Sequence, residues 1–147
     1  MRNFVAAGLG VAALTAAAVP AQEYSRNVWD GVYTKAQATA GAEIYAQRCG
    51  QCHGVQLGGT GEAPGLVGGE FLSNYDTQSV GDLYDRMRTT MPMDNPQSLS
   101  REDYASVLAF VLQFNGFPAG DKPLDRRSAW LGMIAFQAQK PADKTGD

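Results

Sequence analysis

An all-α domain is the fold class that this 147-residue sequence predicts. Three observations carry it. Two segments open with a serine and place an aspartate three residues on, directly ahead of apolar residues at helical spacing. A third begins with a threonine and a glutamine in the same relation. Between them lie glycine- and proline-punctuated loops, with no convincing sheet pattern.

Residues 1–21 read as a leader and not as part of the fold. Arg2 is followed by an apolar run from Phe4 to Val19, broken by Thr15, and then by Val19-Pro20-Ala21, a small-residue ending suited to signal peptidase. The run has 16 residues, short of the ~20 of a membrane span. An uncleaved anchor is therefore the weaker reading. Cleavage after Ala21 is expected to leave 126 residues, one exported domain with no membrane span. Arg2 leaves with the leader, so 11 basic residues face 15 acidic ones, a net charge of −4. That balance argues against nucleic acid or an anionic membrane as partner.

Residues 22–33 are polar with aromatic punctuation (Tyr24, Trp29) and are expected to form an arm packed on the domain. Thr34 and Gln37 have capping-box spacing and open a helix over 35–48, which delivers the chain into Cys49. Residues 54–69 read as a glycine-rich loop, anchored only by Leu57, Leu66 and Val67, too poor in side chains to build a core alone. Ser79 and Asp82 open a helix over 80–90 with Leu83, Tyr84 and Met87 on one face. Met91-Pro92-Met93-Asp94-Asn95-Pro96 is loop, because its prolines stop a helix. Ser100 and Asp103 open the clearest helix, with Tyr104, Val107, Leu108, Val111 and Leu112 as its buried stripe. Asn115-Gly116 ends it and Pro118 blocks its resumption. Residues 121–127 are polar linker. Residues 129–139 are apolar again, and read equally as a short helix or an edge strand laid on the domain.

Both cysteines and the single histidine fall in Cys49-Gly50-Gln51-Cys52-His53. A disulfide here closes a very short loop and adds little stability. A thioredoxin-like pair needs a βαβ context that is missing. A structural zinc needs four Cys or His ligands, and the chain holds three in all. Cys-x-x-Cys-His is the pattern of covalent haem attachment. Two thiols at this spacing form thioethers along one edge of the macrocycle, and the histidine that follows supplies the fifth iron ligand. The porphyrin then fills the space that the glycine-rich loop leaves. No second histidine is present, so the sixth ligand falls to a methionine. Met87 sits on a helical stripe, Met133 lies in the tail, and Met91 and Met93 both flank Pro92 and stay open as candidates.

With these features on the page, residues 34–118 resemble the class I c-type cytochromes of the single-haem bacterial branch. Gly41, Tyr45 and Cys49 stand four apart, as the glycine and aromatic of that family's N-terminal helix do. The resemblance implies a cytochrome c-like fold of three to four helices and long loops around one covalent haem c. It implies that the glycine admits a close crossing of the N- and C-terminal helices, with the aromatic against Val107-Leu108-Ala109-Phe110. Ala63-Pro64-Gly65-Leu66 is similar to the segment whose proline carbonyl accepts from the ligating histidine. Leu66 would then pack on the haem. Thr89-Thr90-Met91-Pro92 resembles the ligand loop and favours Met91 as axial ligand. Val28-Trp29-Asp30-Gly31-Val32-Tyr33-Thr34 is similar to cytochromes found alongside periplasmic quinoprotein dehydrogenases.

The function expected is periplasmic one-electron transfer, with no catalytic residue and with a thioether that raises the potential. Partners are expected to be redox proteins, a dehydrogenase or a terminal oxidase or reductase, docking transiently. A subunit dedicated to a dehydrogenase, with the tail as docking element, and a haem enzyme or gas binder with a displaceable sixth ligand are the alternatives. For the tail, the simpler expectation is that it covers its own domain. The extension from 119 to 147 lies outside the family pattern.

Overall fold

Thr34 turns the chain from an extended arm into the first long helix, its hydroxyl accepting from the Gln37 N–H at 3.2 Å. The computed structural model describes residues 23–61 and 63–142. The expected leader, residues 1–21, lies outside them. Among the described residues six helices and one small strand pair follow in order: β1 (Arg26–Asn27) with a 3-10 turn (Val28–Asp30), α1 (Lys35–Arg48), α2 (Gly50–His53), α3 (Gly68–Tyr75), α4 (Val80–Thr90), α5 (Arg101–Phe114), α6 (Ser128–Leu131) and β2 (Ile134–Ala135).

The pairing of α1 with α5 organises the molecule. Seven α5 residues are buried, from Tyr104 to Leu112, and they include the whole predicted stripe. Burying each Leu or Val contributes about 1.5–3 kcal/mol. The helix α1 offers little apolar surface in return: Ala38, Gly41 and Tyr45. It compensates by proximity. A β-carbon at Gly41 would lie 1.8 Å from the Ser106 carbonyl oxygen, so the two backbones touch there. One turn on, the Tyr45 ring packs on Phe110 at 5.2 Å. Both contacts are those the sequence resemblance implies.

The boxes predicted at Ser79 and Ser100 form in full. The one at Thr34 forms by half. Gln37 does not return to the cap; its side-chain amide donates to the Leu124 carbonyl (3.0 Å) and its oxygen accepts from the Leu124 N–H (2.7 Å). A long-range pair of backbone groups thus outcompetes the local one.

The glycine-rich loop expected over 54–69 ends sooner, because α3 begins at Gly68. Two glycines are poor helix formers, and Val67 at the cap supplies no side-chain acceptor. The first turn is capped instead from 47 residues away, where Asn115 Oδ1 accepts from the Gly68 N–H at 3.1 Å.

The apolar stretch 129–139 is both of its expected forms in succession, α6 and then β2, which pairs in parallel with β1. Leu124, Leu131, Ile134 and Phe136 are all buried. Phe136 joins Phe71, Tyr75 and Phe117 in one aromatic cluster. The extension therefore covers its own domain. Trp29 fastens the arm to it, its indole N–H donating to the Gln137 carbonyl at 3.0 Å.

Candidate haem site

Cys49 ends α1 in a non-helical conformation (φ −125°, ψ −35°), and the single turn α2 starts beyond it. The Cys49 carbonyl accepts from the N–H groups of Cys52 (3.1 Å) and His53 (2.9 Å). That fold of the backbone gathers both thiols and the imidazole onto one turn. The thiols are free; Cys49 is half-buried and Cys52 exposed. Burial pushes the Cys49 thiol up to about 11, with Arg48 pulling it down and Cys52 adding to the rise. Tyr45 beside it is pushed up to about 12, first by burial and then by Cys49.

His53 is buried, and its Nδ1 lies 2.8 Å from the Pro64 carbonyl oxygen. A carbonyl only accepts, so Nδ1 carries the proton and the lone pair stays on Nε2. The proline-carbonyl contact that the resemblance implies is present as geometry. The carbonyls from Cys52 to Gly54 are also engaged. Thr60 donates to Cys52, the Gly59 N–H to His53 (2.9 Å) and the Tyr45 hydroxyl to Gly54 (2.8 Å). Gly59 has φ +81°, and a β-carbon there would lie 2.6 Å from the Ala63 carbonyl. Glycine at this position lets the loop fold back on itself so that Pro64 reaches His53.

Leu66 is half-buried and pinned through its backbone, donating to Leu57 (2.7 Å) and accepting from Asn115 Nδ2 (2.9 Å). Met91 is half-buried at the end of α4 in extended conformation. Met93 is 81% exposed. The hydroxyls of Tyr45, Thr60 and Tyr104 and the amide of Asn115 had no assigned role in the sequence. Their signal was chemical: a buried Tyr in an apolar stripe needs a partner for its hydroxyl.

The turn fits a c-type haem: two thiols not joined to one another and an imidazole held as the Nδ1–H form. Among the described residues no group of three or more His, Cys, Asp or Glu side chains is placed to hold a metal ion, which leaves the zinc alternative without a site. Two open clefts, of ≈ 470 and ≈ 420 Å³, lie along the C-terminal extension and share no residue with this turn.

The helical fold and the Cys-x-x-Cys-His turn define a c-type cytochrome, a haem protein of electron transport. The family model described as cytochrome C oxidase, cbb3-type, subunit III matches residues 36–111, from α1 through most of α5, and the chain belongs to that family. No curated protein matches. Among solved structures, the crystal structure of the sulfane dehydrogenase SoxCD from Paracoccus pantotrophus shares the fold, with a TM-score of 0.52 and 23% identity. The likeness covers 79% of this chain and 66% of that one, so the chain spans just under two thirds of its length. Among the described residues no helix is long and apolar enough to cross a membrane.

Proposed function

We propose that the chain is a periplasmic one-electron carrier, exported by residues 1–21, with one haem c held covalently by Cys49 and Cys52. His53 and Met91 are its axial ligands, and Leu66 packs on the macrocycle. When bound, the haem supplies the ferrous–ferric couple. The observation that carries the reading is the His53–Pro64 hydrogen bond at 2.8 Å within the Cys-x-x-Cys-His turn. It holds the imidazole in one tautomer and raises the basicity of Nε2. The engaged carbonyls from Cys52 to Gly54 keep that ring from turning when the charge on the iron changes. With His53 and Met91 both as ligands, no position would be left open to oxygen or peroxide, and the chain would transfer electrons and no atoms.

The test is mass spectrometry and optical spectroscopy of the protein matured in a host that attaches haem. One porphyrin mass is expected on a chain beginning at Gln22. Met91→Ala is expected to lose the methionine-ligated signature, and Met93→Ala to keep it. Absence of porphyrin mass, or a native spectrum in Met91→Ala, rejects the reading.

A second reading, a subunit dedicated to a periplasmic dehydrogenase, is favoured by one observation. Trp130 is 59% exposed, with the Arg127 guanidinium stacked 5.2 Å from its ring, a residue pair common at interface hot spots. Under it, Trp130→Asp slows reduction by that dehydrogenase at unchanged melting temperature.

A further inference from the structure

The backbone of Met91 is held at both ends. Its N–H donates to the Met87 carbonyl at 2.9 Å, the last helical bond of α4. Its carbonyl accepts from the Tyr104 hydroxyl at 2.7 Å. Tyr104 is 1% exposed and sits in the first turn of α5, its own N–H bonded to Ser100 at the cap. Pro92, the next residue, is buried, and its carbonyl takes the Asn95 N–H at 3.0 Å. Beyond it Met93 points into solvent. The loop is therefore anchored at Met91 and Pro92, next to the exposed Met93.

Resting on the reading of Met91 as axial ligand, we infer that Tyr104 is a positioning residue for that ligand. Its hydroxyl ties the loop to the most deeply packed helix of the fold, so the thioether is held in place without help from the iron. Removing the hydroxyl leaves a carbonyl with no partner and a loop free to swing away about its end in α4. The sulfur then competes less well against an external ligand. The magnitude follows from the hydrogen bond: an ordinary buried one corresponds to about five- to tenfold in an equilibrium.

The experiment uses the holoprotein. Tyr104→Phe keeps the ring and the packing and removes only the hydroxyl. Imidazole is the probe, titrated into the ferric protein. About five- to tenfold tighter imidazole binding is expected, with a lower reduction potential and intact methionine ligation in the absence of imidazole. Tyr84→Phe is the control. Tyr84 is equally buried, and its hydroxyl serves the carbonyls of Arg101 and Arg126 and not the ligand loop. It is expected to lose stability with unchanged imidazole affinity. Unchanged affinity in Tyr104→Phe, or an equal rise in both variants, overturns the inference. Should Tyr104→Phe fail to mature, NMR of the ferrous wild-type protein decides. A slowly exchanging Tyr104 hydroxyl proton close to Met91 supports the role, and a hydroxyl in fast exchange with water overturns it. If Met91→Ala keeps the native spectrum, the ligation reading itself has failed, and the role of Tyr104 falls with it for that separate reason.

Discussion

Gly41 of α1 and Ser106 of α5 meet backbone to backbone: a β-carbon on the glycine would lie 1.8 Å from the serine carbonyl oxygen. The obstacle is helix backbone, which cannot rotate aside as a side chain does. The turn that bears Cys49 and His53 follows α1, and α5 carries Tyr104, so this contact sets the distance between that turn and the hydroxyl bonded to the Met91 carbonyl.

Gly41→Ala forces the helices apart and is expected to cost about 1–3 kcal/mol, visible as a fall of several degrees in the melting temperature. Circular dichroism measures it, with Ala40→Gly on the exposed face as the comparison for helix propensity alone, worth about 1 kcal/mol. A Gly41→Ala protein that melts with the wild type would show that the crossing is slack.

The C-terminal extension is expected to be indispensable to the fold. Removing residues 121–147 strips Leu124, Leu131, Ile134 and Phe136 from the core and uncovers Phe71 and Phe117. Losing one such residue costs about 2–5 kcal/mol, and a whole domain is stable by about 5–15 kcal/mol. The truncated protein should show no cooperative melt. Trp130→Ala, by contrast, touches an exposed side chain and should stay within about 0.5 kcal/mol of wild type. A truncated chain that melts like the full one would reverse this view and make the extension an appendage.

Asp125 gives a pH dependence of known sign. Hydrogen bonds from Arg127 hold its carboxyl down to about 2, chiefly through the side-chain pair at 2.6 and 2.9 Å. A lowered carboxyl stabilises the fold at pH values above its ordinary range, near ~3.9, and loses that contribution as pH falls through about 2. The pair is open to solvent, Arg127 being 62% exposed, so its contribution is small. Asp125→Asn should therefore be slightly less stable than wild type in urea at pH 7, with the gap closing between about pH 4 and pH 2. A gap that is as wide at pH 2 would assign the effect to something other than the charge.

Much of the candidate site is legible in the sequence. Cys49, Cys52 and His53 stand at a spacing that one turn brings together, and Pro64 was reachable through resemblance. The helices α1, α4 and α5 were legible because their caps and stripes are local signals, three or four residues apart. The start of α3 was not, because its cap is Asn115, 47 residues downstream. Gln37 was misread for the same reason, its amide being claimed by Leu124, 87 residues on.

What the residue order determined alone was therefore whatever depends on near neighbours: the helix starts, the glycine punctuation and the thiol–imidazole turn. Tertiary structure alone decided which buried polar groups meet across the fold. It brought the Tyr104 hydroxyl to the Met91 carbonyl, turned Met93 outward and folded residues 121–142 back over the core. Each such contact joins groups far apart in the chain, whose pairing depends on how whole helices pack. The physical reason is desolvation: a buried hydroxyl, amide or carbonyl must find a partner, and only the assembled core determines which one lies within reach.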